Sequence, residues 1–286
     1  MPSKASDTRV RVGAELRRLR ERAGLSGEQV ATTLGWSQPK ISRMEAGRTA
    51  YTVNDVANLL ALYGVEGDVR MELLASTAQD TGEGAWIIRA GGYPRRQGSV
   101  AALEAVTNRI RHYQPVVVPG LLQTWEYAKV AAEGIGAPQP EKIADARMVR
   151  QAVLDQDDAP SYEVVVDARA LLLPVASVEL LRDQALSLAE RATHPRVDLR
   201  VVPLAAGTTL YGPVGYMLFD FINPMSPSVA WIESPTGDIC FSDPDDIERY
   251  TSMFRRIQDL ALAGDECIRY MRSFADDVER YVTPSD

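Results

Sequence analysis

The sequence predicts an all-helical N-terminal domain followed by a mixed α+β domain, and three observations lead there. Residues 10–80 carry apolar side chains at helical spacing only, interrupted at short intervals by glycine. Residues 81–99 then gather five glycines (Gly82, Gly84, Gly91, Gly92, Gly98) and Pro94, the composition of a linker. Beyond residue 160, short β-branched and aromatic runs alternate with helical stretches. Two domains also suit a chain of 286 residues. The predicted boundaries are 1–80 for the first domain, 81–99 for the linker and 100–286 for the second.

Each element has a local reason. Val12, Leu16 and Leu19 recur at helical spacing and Gly24 stops that helix. Ser26 caps a second helix with Val30, Ala31 and Leu34 inward, closed by Gly35. Ser37 precedes a third, with Ile41 and Met44 inward, closed by Gly47. Thr52 with Asp55 resembles a capping box and opens a fourth carrying Val53, Val56, Leu59, Leu60 and Tyr63. A fifth runs from Asp68 to about Ala78. Trp86, Ile87 and Ile88 within the linker are apolar enough to dock on the folded body. In the second half, Ser99 opens a helix expected to reach about Tyr113, Thr124 caps one to about Glu133, and another covers roughly 140–156. Strands are expected at Tyr162–Asp167, Val197–Val202, Gly215–Phe221, Ser228–Glu233 and Asp238–Phe241, giving a roughly five-stranded sheet. A helix from Ser177 to about Ala192 separates the first two. Asp243 as cap, Pro244 at the first helical position and Asp245–Asp246 in the first turn open a long helix. The last begins at Asp265, with Ile268, Met271, Phe274 and Val278 on one face.

Composition bounds the function. Net charge is −8, yet residues 1–50 carry ten basic and five acidic groups, so a head of +5 sits on a body of −13. That is the split expected when one part meets phosphate and the other does not. No apolar run approaches the ~18 residues of a membrane span. Two cysteines and two histidines exclude a disulfide framework and a Cys/His zinc cluster, and they suit a reducing cytoplasm. No G-x-S-x-G, P-loop, H-E-x-x-H or G-x-G-x-x-G occurs. His112 and His194 sit in no catalytic motif and read as helix-surface histidines. The chain is therefore expected not to be an enzyme and to need neither metal nor cofactor.

The stretch Leu16–Gly47 carries the functional signal. Ala31, Gly35 and Ile41 have the spacing of a helix-turn-helix: a small residue where two helices cross, a glycine for the turn, and a plug into the core. At 100° per residue, Pro39, Ser42, Arg43 and Ala46 face away from Ile41 and Met44, with Gln38 and Lys40 flanking them. Such an outward N-terminal face is what a recognition helix offers the major groove. Gln38 suits adenine, Arg43 guanine or a phosphate, Lys40 a phosphate, and Ser42 either. Ser37 either caps the helix or exposes its amides to a phosphate. Pro39 fits a first helical turn. Arg17, Arg18 and Arg20 in the first helix and Arg48 after the third are candidates for backbone contact.

These residues identify a resemblance. SQPKISRMEAG and the order of five helices over residues 16–64 resemble the helix-turn-helix of the Cro/lambda-repressor class, the XRE-like regulators. That family often carries a second glutamine, bracing the recognition-helix glutamine, where this chain has Gly27. The remainder is similar to the C-terminal domain of antitoxin-like actinobacterial regulators. PVVVPGLLQTWEYAKV at 115–130 matches its "vPGLLQTpeYAr" wording, and Arg147, Arg150 and Gln151 match its "R…RQ" segment. The resemblance implies a DNA-binding transcription regulator, dimeric, with a C-terminal domain that receives a small-molecule or protein signal. It equally implies an antitoxin-like interaction module that uses DNA only for autoregulation. The strand–helix–strand–three-strand order is also similar to PAS-like sensor domains. Leu122, Trp125, Tyr127, Arg147 and Arg150 are candidates for that second site, and the large aromatics are equally at home in a core.

Overall fold

The computed structural model describes residues 7–65, 67–82, 85–88, 100–101, 103–173, 176–206, 214–222, 226–234 and 237–282. Five helices come first: α1 Asp7–Arg22, α2 Gly27–Leu34, α3 Gln38–Glu45, α4 Val53–Leu62 and α5 Gly67–Thr81. Their ends are fixed locally. Ser26 and Gln29 form a capping box at α2, and Thr52 and Asp55 form one at α4. Gly35 closes α2 at φ 65°, a left-handed conformation that favours glycine. At Gly13, a Cβ would stand 2.5 Å from the Met44 carbonyl oxygen, so glycine lets α1 lie directly on α3. Val12, Leu16, Val30, Ile41, Met44, Val56, Leu59 and Leu60 fill the space between these helices.

The rest is a seven-stranded mixed sheet with helices on both faces. In chain order it runs β1 Ala85–Ile88, β2 Thr107–Gln114, α6 Trp125–Gly134, α7 Pro140–Gln151, β3 Ser161–Asp167, α8 Val178–Arg191, β4 Val197–Val202, β5 Tyr216–Phe221, β6 Val229–Ile232, β7 Asp238–Phe241, α9 Pro244–Asp259 and α10 Gly264–Val282. The strand order is β1-β7-β6-β5-β2-β3-β4. β2, β3 and β4 are parallel, joined through helices, whereas β1, β7, β6, β5 and β2 pair antiparallel. Side chains alternate strictly. Tyr113, Val165, Val202, Tyr216, Leu218 and Ala230 pack under Phe254 and Ile257 of α9. Ile110, Val164, Leu199, Met217, Phe219 and Trp231 point the other way, into the larger core that also holds Leu181 of α8 and Met271 of α10.

Two expectations need correction. The sheet has seven strands, not five, and the helix expected to reach Tyr113 ends far earlier. The chain is helical at 100–101 and 103–104, turns, and becomes β2 at Thr107. Its alternation of Ile110, His112 and Gln114 with Arg109, Arg111 and Tyr113 is masked because both faces carry polar side chains that are buried or paired. His112 is accordingly buried in the sheet and not on a helix surface. Within the predicted linker, β1 pairs with β7, Trp86 opposite Cys240. The linker residues 83–84 and 89–99, and Ser99 as an expected helix start, lie outside the described residues. Ser242, just beyond β7, donates to the Ala75 carbonyl of α5 at 3.3 Å, so the sheet holds the helical head as well as the strand that follows it.

Candidate nucleic-acid interface and buried cavity

Two ion pairs anchor α3 and leave its outward face open. Near its N-terminus, Lys40 Nζ lies 2.8 Å from Asp55, the capping residue of α4, and 3.8 Å from the centroid of the Trp36 ring. At its C-terminus, Glu45 receives Arg20 Nε at 2.6 Å, and Arg20 also donates to the Leu25 carbonyl. Between these anchors Gln38, Ser42 and Arg43 are exposed, and among the described residues their side chains have no hydrogen-bond or ion-pair partner. Arg48 is exposed in the same way. Ser37 stands at the N-cap in extended conformation, but its hydroxyl makes no cap bond, and Pro39 occupies the first turn. Pro39 brings no amide hydrogen and the Lys40 amide donates to the Ser37 carbonyl at 2.9 Å, so of the first three helical positions only Gln38 has an amide left to offer a phosphate oxygen. Gln38 Nε2 lies 3.7 Å from where a Cβ on Gly27 would be, so it rests beside the start of α2 with no side chain from residue 27 to brace it.

The basic residues fall into two groups. Arg17 pairs with Glu21 at 2.9 Å and Arg18 with Glu15, all on the solvent side of α1. Those neighbours hold the guanidinium pKa values of Arg17 and Arg18 above the usual range through hydrogen bonds to carboxylates. Lys40 and Arg20, by contrast, are structural cations, each tying α3 to another helix.

The second domain encloses a cavity of about 170 Å³ between the end of β2, the segment 117–123, the helices α6 and α7, and the sheet. Arg147, Arg150, His112, Gln114, Gln123 and Glu233 line it beside apolar Val117, Val118, Ala131 and Met217. Arg150 Nε lies 2.9 Å from Glu104 Oε2, and both side chains are almost wholly buried. Burial pushes the Glu104 carboxyl up to about 7, against the pull of Arg150. Burial and the nearby Arg150 charge drive His112 down to about 3, so it is a neutral imidazole whose Nδ1 meets the Tyr162 hydroxyl at 2.9 Å. Of the five sequence candidates here, Arg147 and Arg150 reach the cavity. Leu122 and Tyr127 do not; they are core, the Tyr127 hydroxyl donating to the Ala170 carbonyl and accepting from the Val118 amide. Trp125 ties α6 to α7 through Nε1 and Asp145 at 2.8 Å. Gln123 lies within the 115–130 wording and Glu233 at the end of an expected strand, whereas Glu104, His112 and Gln114 had no signal in the sequence, since only the fold brings them to this place.

Comparison with known proteins agrees with this division. Residues 11–73 match a helix-turn-helix domain. Residues 97–273 match a domain of unknown function, DUF5753, and the chain belongs to that family. No curated protein matches it. Among solved structures, the chain is similar to TrmBL2, described as an archaeal chromatin protein with a novel mode of DNA binding. That likeness has 11% identity and a TM-score of 0.33, covering 91% of this chain and 100% of that one. On residues 11–73 the N-terminal domain is a helix-turn-helix, and that domain supports a DNA-binding regulator. Among the described residues no helix is long and apolar enough to cross a membrane.

Proposed function

We propose that the protein is a sequence-specific transcription regulator that binds double-stranded DNA as a homodimer in the cytoplasm and carries out no catalysis. The observation that carries this is the open face of α3, where Gln38, Ser42 and Arg43 stand exposed without side-chain partners between two anchored ends. Gln38 and Arg43 read base edges, Ser42 meets a base or phosphate, and Ser37 with the Gln38 amide holds a phosphate. Arg17, Arg18 and Arg48 add backbone contacts. One helix of this length reads too few bases for genomic specificity, and two half-sites one turn apart supply the rest. The second domain dimerises and senses a small molecule through its cavity, and the joint from β7 to β1 and α5 connects that cavity's sheet to the DNA-reading head. The test is fluorescence anisotropy of the purified protein on its own upstream DNA, across a salt series with scrambled competitor. Specific, salt-dependent binding supports the reading, and a folded dimer that binds no DNA at any salt overturns it.

A second reading, an antitoxin-like module for a small protein partner, is favoured by the exposed apolar side chains of Val116, Ile135 and Val149 on the segments around the cavity. Co-purification of a partner whose removal leaves DNA binding unchanged would support it.

A further inference from the structure

The cavity has a built wall. Arg147 and Arg150 stand one turn apart on α7 and both reach it. Arg147 donates to Gln123 Oε1, and Gln123 is itself tied to the Val118 carbonyl at 2.6 Å. Gln151 holds the same segment from behind, donating to the carbonyls of Gly120 at 3.0 Å and Gln123 at 2.8 Å. Gly120 leaves the space for Arg150: a Cβ there would lie 3.1 Å from its Nη2. On the sheet side Glu233 follows β6 and lines the rim, exposed, and its charge is felt at Glu104. Val118, Ala131 and Met217 are apolar surface in the same space.

We propose that this cavity binds a free α-amino acid with a small apolar side chain, its carboxylate on Arg147 and Arg150, its ammonium towards Glu233 and its side chain on Val118, Ala131 and Met217. The inference rests on the sensing reading above and gives it a ligand class. Guanidinium forks match a carboxylate through paired hydrogen bonds. A plain anion would meet Glu233 at the rim, and a plain cation would meet two arginines; a zwitterion meets neither penalty. Size narrows the class further. A cavity of about 150 Å³ holds a benzene ring, so this one takes a ligand of roughly six to nine non-hydrogen atoms, too few for a nucleotide or a peptide.

The test uses the full chain in titration calorimetry with each of the twenty protein amino acids. Isovalerate and isobutylamine serve as halves of valine, and inorganic phosphate as a simple anion. One or a few small apolar amino acids should bind saturably, at least about tenfold tighter than either half. Arg147→Gln, which keeps the Arg150–Glu104 pair, should weaken that binding by roughly ten- to a hundredfold, the loss of a charge-assisted hydrogen bond. Glu233→Gln, at the exposed rim where folding is not at risk, should weaken the amino acid and tighten isovalerate, whose carboxylate then meets no like charge at the rim. The proposal is overturned if no amino acid binds the folded chain, or if phosphate or isovalerate binds as tightly as the best amino acid. DNA affinity separates the two readings. A different small molecule that shifts DNA affinity while no amino acid binds sinks the ligand class and keeps the sensor. An amino acid that binds without changing DNA affinity keeps the ligand class and sinks the sensor.

Discussion

On the outer face of α1, Arg17 and Arg18 meet Glu21 and Glu15 at the surface and within a turn, while Arg9 and Arg20 of the same helix reach Asp80 and Glu45 on other helices. Two pairs of the sheet domain are by contrast inside and join distant segments: Arg150 with Glu104, and Arg111 with Asp220 and Thr251 of α9. An exposed pair contributes about 0–1 kcal/mol and exchanges a carboxylate for a phosphate at little cost. A buried pair cannot release either member without leaving a charge in a poor solvent. The outer face of α1 is therefore arranged to trade partners, and the polar groups behind the cavity are held in one fixed arrangement.

The sharpest way to break this comparison is Arg150→Ala. It strands the Glu104 carboxyl and should cost about 3–5 kcal/mol in urea denaturation, while Arg150→Met combined with Glu104→Gln should recover most of the loss. If Arg150→Ala is nearly neutral, the pair is not the fixed element described. Next is Gln38→Ala, expected to cost about 1–3 kcal/mol on the best DNA site and to relax preference at one base step. An equal loss on every sequence would take base reading away from Gln38. A contrast between two cations comes third. Arg17→Ala should flatten the slope of log affinity against log salt by about one unit. Lys40→Gln should leave the slope unchanged and cost about 1 kcal/mol or less of stability, because its partners are Asp55 and Trp36. Equal slope changes would place both on phosphate.

The last effect is in the pH dependence. His112, held neutral at about 3 against an ordinary 6.5, contributes stability that is present above pH 6.5 and lost as pH falls towards 3. Glu104, raised from 4.5 to about 7, contributes stability that is present below pH 4.5 and lost as pH rises towards 7. The two slopes oppose each other between pH 4.5 and 6.5. Glu104→Gln should therefore make stability rise more steeply with pH over that window than in the parent chain, as read from urea midpoints. An unchanged slope would mean that Glu104 does not titrate there.

What was legible in the sequence follows the same division. The helices of the head announce themselves because their signals are local: Ser26 with Gln29, Thr52 with Asp55, Gly35 after Leu34. Strands β3, β4 and β7 and the cap of α9 at Asp243 were readable for the same reason. β1 and β2 were not. Their strand character depends on partners far along the chain, β7 for one and β3 and β5 for the other, and β2 carries arginines that only the fold pairs. The cavity was legible at Arg147 and Arg150 through family wording alone. His112 and Glu233 line it and Glu104 pairs with Arg150, each from a separate segment that only the fold brings together.

The pairing of β1 with β7 has a consequence for synthesis. Ile88 finds its partner at Asp238, 150 residues downstream, and a ribosome adding about 5–20 residues per second reaches that point about 8–30 s later. For that interval the helical head emerges without the sheet that will hold it. It has to fold on its capped ends and its own small core, and a chain interrupted before β7 would leave β1 without the strand that pairs with it.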